Sequence, residues 1–427
     1  MNYSEILGYT YLALLGVIVL IILLNSYYIK FIYVYCKKEK TLQKANIFYK
    51  YIVLIPARNE SKVIRNILKS LSKQDYPKDK FDVYVITESE DDPTNKIALE
   101  FGYKYFVRTQ LENRRRKGFA LEEAYNHLKD NNIDFDSLII FDADNILSKD
   151  YISKLNDLKA SGYEIGVGLR ESTNADTNYI SASSALLFCY QSRFVNKARS
   201  ILFDKVVISG TGYFIDKKII EDAGGWVWTG LTEDVDLTRY AYINGIKMGY
   251  NPTAIYYDEQ PTDLKTLHNQ HVRWVWGFMN KGIIDLAIKK NPKYRKTNKF
   301  ARFELFNSLT LFQSSEWAVL FHMLTLFAFM IYFGIRLDGA YLGLYGLFVI
   351  VDLLLMFLIC DLANLVELIF SGSHFRVSRR LKIKCVVFGF IFWADWLLAW
   401  IDGFIRPKKR KVWVAIEHKG KRKPKNK

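Results

Sequence analysis

The sequence predicts an α/β domain with a mixed, largely parallel sheet, set between hydrophobic segments at both ends. Three observations carry this reading. Short β-rich runs alternate with helical patterns from Tyr51 to about Leu286, polar and acidic motifs fall where those runs end, and long apolar stretches lie outside this region. With 427 residues, half of them apolar, the chain exceeds one ordinary domain and can bury a sizeable core.

The elements follow in chain order. Residues 6–24 carry no charge, Glu5 precedes them, and Lys30, Lys37, Lys38 and Lys40 follow, which reads as a retained membrane anchor with the next domain in the cytoplasm. A cleavable signal would need a basic residue before this run and a small-residue cleavage site after it. Residues 53–55, 83–86 and 138–141 are the clearest strands, and Val63, Ile64, Ile67, Leu68 and Leu71 recur at the spacing of an amphipathic cover helix. Beyond residue 300 the apolar blocks 317–335, 340–370 and 385–405 are interrupted by the basic stretch 376–384. The expected organisation is an anchor over 1–40, a cytoplasmic domain over 41–298, interfacial and transmembrane helices over 299–405, and a basic tail over 406–427. Three full spans would leave that tail outside the cell, against the charge rule, so one block is expected to be tilted, re-entrant or interfacial.

Charge and cysteine usage exclude several classes. Residues 406–427 hold eleven Lys or Arg against Glu417, so most of the net charge of +16 is local, and its place after an apolar block suits anionic lipid headgroups better than nucleic acid. Cys36, Cys189, Cys360 and Cys385 are scattered without metal-like spacing, which predicts neither disulfides nor a zinc site.

The chemistry gathers in a few motifs. Asp142-Ala143-Asp144-Asn145 leaves the run Ser137-Leu138-Ile139-Ile140-Phe141, and two carboxylates two residues apart at a strand end can meet one hard divalent ion. A lone pair of this kind is more often a turn. Upstream, Ile55-Pro56-Ala57-Arg58-Asn59-Glu60 closes one strand and Val85-Ile86-Thr87-Glu88-Ser89-Glu90-Asp91-Asp92-Pro93-Thr94 another; downstream come Thr232-Glu233-Asp234 and Gln270-His271-Val272-Arg273-Trp274. Strand-ending motifs of an open sheet converge outside the carboxyl ends of its strands, so one cleft can collect them. Gln270, Arg273 and Trp274 lie within about one helical turn; the Arg273 fork suits a diphosphate, and Trp274 offers a stacking face for a sugar or an interfacial anchor. Gly210-Thr211-Gly212 either admits an acceptor close to the backbone or forms a β-bulge.

In order and spacing the set, from about Tyr51 to Gly277, resembles the membrane-embedded family 2 glycosyltransferases, which include cellulose, chitin and hyaluronan synthases. The resemblance implies a GT-A-like nucleotide-sugar-binding domain and an inverting transfer that builds a β-linked polysaccharide from a nucleotide-diphosphate sugar, UDP-linked by expectation. Single transfer to a membrane lipid is the alternative, and an inactive membrane scaffold a third. It implies Mg2+ or Mn2+ on Asp142 and Asp144, with Asp144 the firmer ligand, and Asp234 as general base with Glu233 in support. Ala57, Glu88, Lys117, Asp142 and Arg273 are the expected donor-binding residues, and Gly210, Thr211, Gly212, Gln270 and Trp274 the acceptor-binding ones. Lys117 opens a Lys-Gly-x-Ala-Leu segment that would approach the diphosphate or its loop, with a solvated basic loop as the alternative, while Glu88 stands where the family usually has Asp. Glu90, Asp91 and Asp92 read as a solvated acidic loop. The implied partners are a nucleotide-sugar donor, a glycan or lipid-linked acceptor and the bilayer, with an export partner left open and no nucleic acid; the implied location is the plasma membrane.

Overall fold

Runs apolar on both faces make strands covered on both sides. The computed structural model, which describes residues 28–37, 42–279 and 339–405 and the isolated positions 16, 299, 302 and 331, orders them into one sheet. Its strands are β1 (Tyr51–Pro56), β2 (Phe81–Thr87), β3 (Lys104–Val107), β4 (Ser137–Ile140), β5 (Ile146–Leu147), β6 (Ile165–Ser172), β7 (Tyr213–Asp216) and β8 (Met248–Asp258). The helices are α1 (Tyr28–Lys37), α2 (Ile64–Ser72), α3 (Pro93–Glu100), α4 (Lys117–Asp130), α5 (Tyr151–Ala160), α6 (Tyr179–Tyr190), α7 (Lys197–Phe203), α8 (Lys217–Asp222), α9 (Glu233–Asn244), α10 (Leu264–Met279), α11 (Gly339–Ser371), α12 (Arg379–Val387) and α13 (Gly389–Ile405). A π-helical turn, Gln191–Asn196, joins α6 to α7.

The strand order is β3-β2-β1-β4-β7-β6-β8-β5. Pairings β1/β2, β1/β4, β2/β3 and β6/β8 are parallel, while β7 enters antiparallel between β4 and β6, and β5 pairs antiparallel with β8. The sheet is therefore mixed. Alternation along each strand divides the core into two layers. Ile52, Leu54, Leu138 and Ile140 pack with Leu121, Ala124 and Leu128 of α4 and with Leu237 and Ala241 of α9. Tyr51, Val53, Ile55 and Ile139 pack on the other face with Ile64, Ile67, Leu68 and Leu71 of α2 and with Ile152 and Leu155 of α5. The stripe read from the sequence is thus the buried face of α2. Both layers leave the carboxyl ends of β1, β2 and β4 open on one side.

Helices α10, α11 and α13 flank that opening. Among the described residues no single helix is long and apolar enough to cross a membrane; α12 and residues 389–403, bent by 52°, meet that length and composition as a pair. Side chains in much of the first part of α11 lie outside the described residues. The expected N-terminal anchor, the block 317–335 and the basic tail also fall outside them, apart from positions 16 and 331. Within the expected acidic loop Glu90 and Asp91 are exposed, but Asp92 is buried. Its carboxylate accepts the Thr94 N–H at 2.9 Å, capping α3, and the Asn59 N–H at 3.0 Å.

Candidate active site

Strand β4 ends in a turn held by Asn145, which is fully buried. The Asn145 side-chain oxygen accepts the Asp142 N–H at 3.2 Å and the Thr211 hydroxyl, and its NH2 donates to Asp144 Oδ1 at 3.2 Å. The Asp142 N–H also reaches Thr211 Oγ1 at 2.9 Å, and Asp144 Oδ2 accepts the Glu259 N–H at 3.1 Å. These bonds fix the backbone and leave both carboxylates lining one cavity of about 490 Å³.

Lys117 begins α4 and is delivered to the same point. Its Nζ donates to Asp142 Oδ1 and to the Gly210 carbonyl, both at 2.5 Å, and lies 3.7 Å from Glu233 Oε1. The next residue has to be small: a Cβ at Gly118 would stand 2.4 Å from the Trp228 carbonyl oxygen, so a side chain there would push α4 away from the chain that leads into α9. Helix α9 opens with Glu233, Asp234 and Asp236, where the helix dipole favours negative charge. Thr232 makes no side-chain cap; Asp234 Oδ1 accepts the Val235 N–H at 2.9 Å instead. Burial raises the pKa of Asp234 and of Glu233, while Lys117 and Arg273 pull both back down. For Lys117, burial alone would lower the pKa, but Asp142, Glu233 and Asp234 together hold it above the ordinary lysine value.

Ala57, Glu88, Arg108, Arg115 and Arg116 line the cavity toward β1 and β2. Glu88 lies 3.1 Å from Arg58 Nε, 3.5 Å from Arg108 Nη1 and 3.9 Å from Arg115 Nε. Three guanidinium groups thus surround the acid that the sequence singled out. On the opposite side, Gln270, Arg273 and Trp274 of α10 line the cavity together with Leu187 and Phe188 of α6 and Trp393, Trp396 and Trp400 of α13. Trp274 has its ring between Phe188 and Trp396, with centroids at 5.8 Å from each.

The predicted residues Ala57, Glu88, Lys117, Asp142, Asp144, Gly210, Glu233, Asp234, Gln270, Arg273 and Trp274 all line this one cavity. Thr211 and Gly212 stand behind it. Thr211 is buried and committed to the Asp142 turn, and Gly212 adopts φ +66° with the Tyr256 ring 2.4 Å from where a Cβ would be. The site also contains residues that the sequence did not single out. Arg170 binds Asp258 through two nitrogens, donates to the Ser209 carbonyl at 3.0 Å and places its guanidinium 3.5 Å from the centroid of Phe188. No local pattern marks Arg170, because its partners lie 88, 39 and 18 positions away in the chain.

Among the described residues no three His, Cys, Asp or Glu side chains converge into a metal cage. Two carboxylates lining a cavity are hard oxygen donors that would suit Mg2+ or Mn2+, with a substrate's oxygens as the further donors. Asp142 and Asp144 are hard oxygen donors of that kind, and Lys117 already marks the position as one that holds opposite charges together.

Residues 50–277 match the family described as glycosyltransferase like family 2. The chain is 32% identical over 239 residues to the probable glycosyltransferase YdaM of Bacillus subtilis (strain 168), covering 53% of this chain and 55% of that protein. It is 25% identical over 262 residues to the beta-monoglucosyldiacylglycerol synthase of Nostoc sp. (strain PCC 7120), covering 59% and 54%. The chain therefore spans about half the length of the curated relatives it matches. A mannosyltransferase from Pyrobaculum calidifontis, PcManGT, solved in complex with GDP-Man and Mn2+, superposes with a TM-score of 0.58 at 15% identity, over 96% of this chain and 100% of that one. At that identity the likeness is one of fold.

Proposed function

The chain belongs to glycosyltransferase-like family 2, and from that premise we propose that it moves a sugar, with inversion, from a nucleotide-diphosphate donor to a hydroxyl of a membrane-borne acceptor. The observation that carries this is the gathering of Asp142, Asp144, Lys117, Asp234 and Arg273 around one cavity. Asp234 takes the acceptor hydroxyl proton as that oxygen attacks the anomeric carbon; the bond to the diphosphate breaks and its electron pair leaves with the phosphate. Lys117 and Arg273 supply positive charge where the leaving group gains negative charge. A divalent ion held by Asp142 and Asp144 would add Lewis-acid neutralisation of the same diphosphate. The arginine-ringed Glu88 end takes the nucleotide, UDP in this reading.

Two acceptor readings remain, each with its own support. Gln270, Arg273 and Trp274 follow the pattern of polymer-forming members, which favours a growing β-linked polysaccharide. The aromatic wall favours a lipid. Trp393, Trp396 and Trp400 bring α13 into the cavity, while Ile350, Leu354, Leu358, Leu362, Val366 and Ile369 of α11 and Leu398, Ile401 and Ile405 of α13 remain exposed. That apolar face suits a bilayer next to the site, with the domain on its cytoplasmic side. The similarity to beta-monoglucosyldiacylglycerol synthase adds to this support, and we take single transfer to a membrane lipid as the leading reading. Incubating the purified chain in lipid nanodiscs with labelled nucleotide sugars and sizing the product tests it. One sugar on a lipid supports the reading, a ladder of lengths supports the polymer, and no transfer from any donor leaves the inactive scaffold.

A further inference from the structure

Glu367 takes no part in the transfer described above. It is 7% exposed, it lines the same cavity, and among the described residues no hydrogen bond or ion pair engages its carboxyl. Four other buried carboxylates have basic partners: Asp258 binds Arg170, Glu123 binds Arg108, Glu171 binds His374, and Asp395 binds His268 and His271. A carboxyl buried without a partner lacks the hydrogen bonds it makes in water, and a ligand hydroxyl can supply them. The cavity is where such a ligand would enter.

The position of Glu367 is firmly set. One turn farther along α11, Phe370 packs on Phe194 with ring centroids at 4.2 Å, and the Ser371 carbonyl accepts Arg193 Nη1 at 2.5 Å. Phe194 and Arg193 belong to the π-helical turn between α6 and α7. Single π turns are rare and cluster at functional sites. Here the turn lies in the cavity wall, where Leu187, Gln191, Val195 and Arg199 follow one another at intervals of four. Glu367 of α11 and Gln191 of the π turn thus line the same cavity from two walls that are pinned to each other.

We propose that Glu367, with Gln191, is a second polar subsite for the acceptor, holding hydroxyl groups other than the one attacked, so that the acceptor is an amphiphile with a polyol head and not a plain alcohol. This rests on the reading of the cavity as an acceptor site. A carboxyl can donate or accept, and an amide does both, which matches the hydroxyls of a sugar or glycerol head and offers nothing to hydrocarbon. Trp393, Trp396 and Trp400 line the same cavity and report on its occupation.

The test is binding, followed by tryptophan emission of the full chain in phosphatidylcholine nanodiscs, with hexyl β-glucoside and 1-hexanol as probes. The wild type should bind the glucoside at least about tenfold more tightly than the alcohol, because a site built for hydroxyls rejects the analogue lacking them. Glu367→Leu should abolish that preference while leaving the melting temperature equal or higher, since an unpartnered carboxyl is replaced by an apolar group. Glu367→Gln should retain most of the preference. Equal binding of both probes by the wild type, or an undiminished preference in Glu367→Leu, overturns the subsite. Transfer assays on the same preparation judge the transferase reading separately: a glucoside preference without any transfer would sink that reading and spare the subsite.

Discussion

Lys117 makes contacts that a lysine on a solvated loop would not: Asp142, the Gly210 carbonyl and Glu233 share one ammonium. Asp234, at the head of α9, is the base in the proposed transfer. Asp234→Asn should lower kcat by about a hundredfold or more, with displacement of a fluorescent nucleotide changed by less than about twofold because the donor end is untouched. Equal turnover in that variant removes Asp234 as the base. Since burial raises the pKa of Asp234 and of Glu233, and the base works ionised, activity should fall with decreasing pH on a limb above the ordinary carboxylate range. Lys117 lowers both values, so Lys117→Met should move that limb to higher pH, as read from the profile of kcat/KM. At Asp142 and Asp144, removal of divalent ions with a chelator should stop turnover and added Mg2+ or Mn2+ should restore it; activity that persists through chelation refutes the metal reading.

Helix α10, which carries Gln270, Arg273 and Trp274, is pinned to α13 by a carboxylate between two imidazoles. Asp395 Oδ2 lies 2.6 Å from His271 Nδ1 and Asp395 Oδ1 lies 2.8 Å from His268 Nδ1, while the His271 ring stacks on Trp396 at 4.3 Å. His271 is fully buried, and burial lowers its pKa against the opposing pull of Asp395. Asp395→Ala would leave the buried His271 Nδ1 without its hydrogen-bond partner and should destabilise the chain by about 1–3 kcal/mol, seen as a lower midpoint in thermal unfolding; an unchanged midpoint would show that the clamp contributes nothing. At β7 the Gly210-Thr211-Gly212 segment supports the floor of the site. Gly212→Ala combines a positive φ with the Tyr256 ring 2.4 Å from the new Cβ, and should likewise lower the midpoint. Periodicity showed the buried stripe of α2 and the strands at 53–55, 83–86 and 138–141 because each is a local pattern. It could not show that β7 enters antiparallel beside β4, since pairing partners leave no mark on a strand's own alternation.

Across the molecule, exposed apolar side chains gather on α11 and α13, the helices that also close the aromatic end of the cavity. The chain should therefore stay with membranes through an alkaline carbonate wash, and release into the supernatant would count against a bilayer beside the site. The α/β class, the open end of the sheet and the motifs that gather there were determined by the sequence alone, because apolar periodicity and strand-ending acids are properties of neighbouring residues. Tertiary structure decided which of those motifs face the cavity and which support it. Thr211 went to the backbone of Asp142, Glu88 to three arginines, Arg170 to Asp258 and Phe188, and Glu367 to an unpartnered place in the wall. Each outcome depends on groups far apart in the chain, and contacts of that range are fixed by packing, which no short stretch of sequence records.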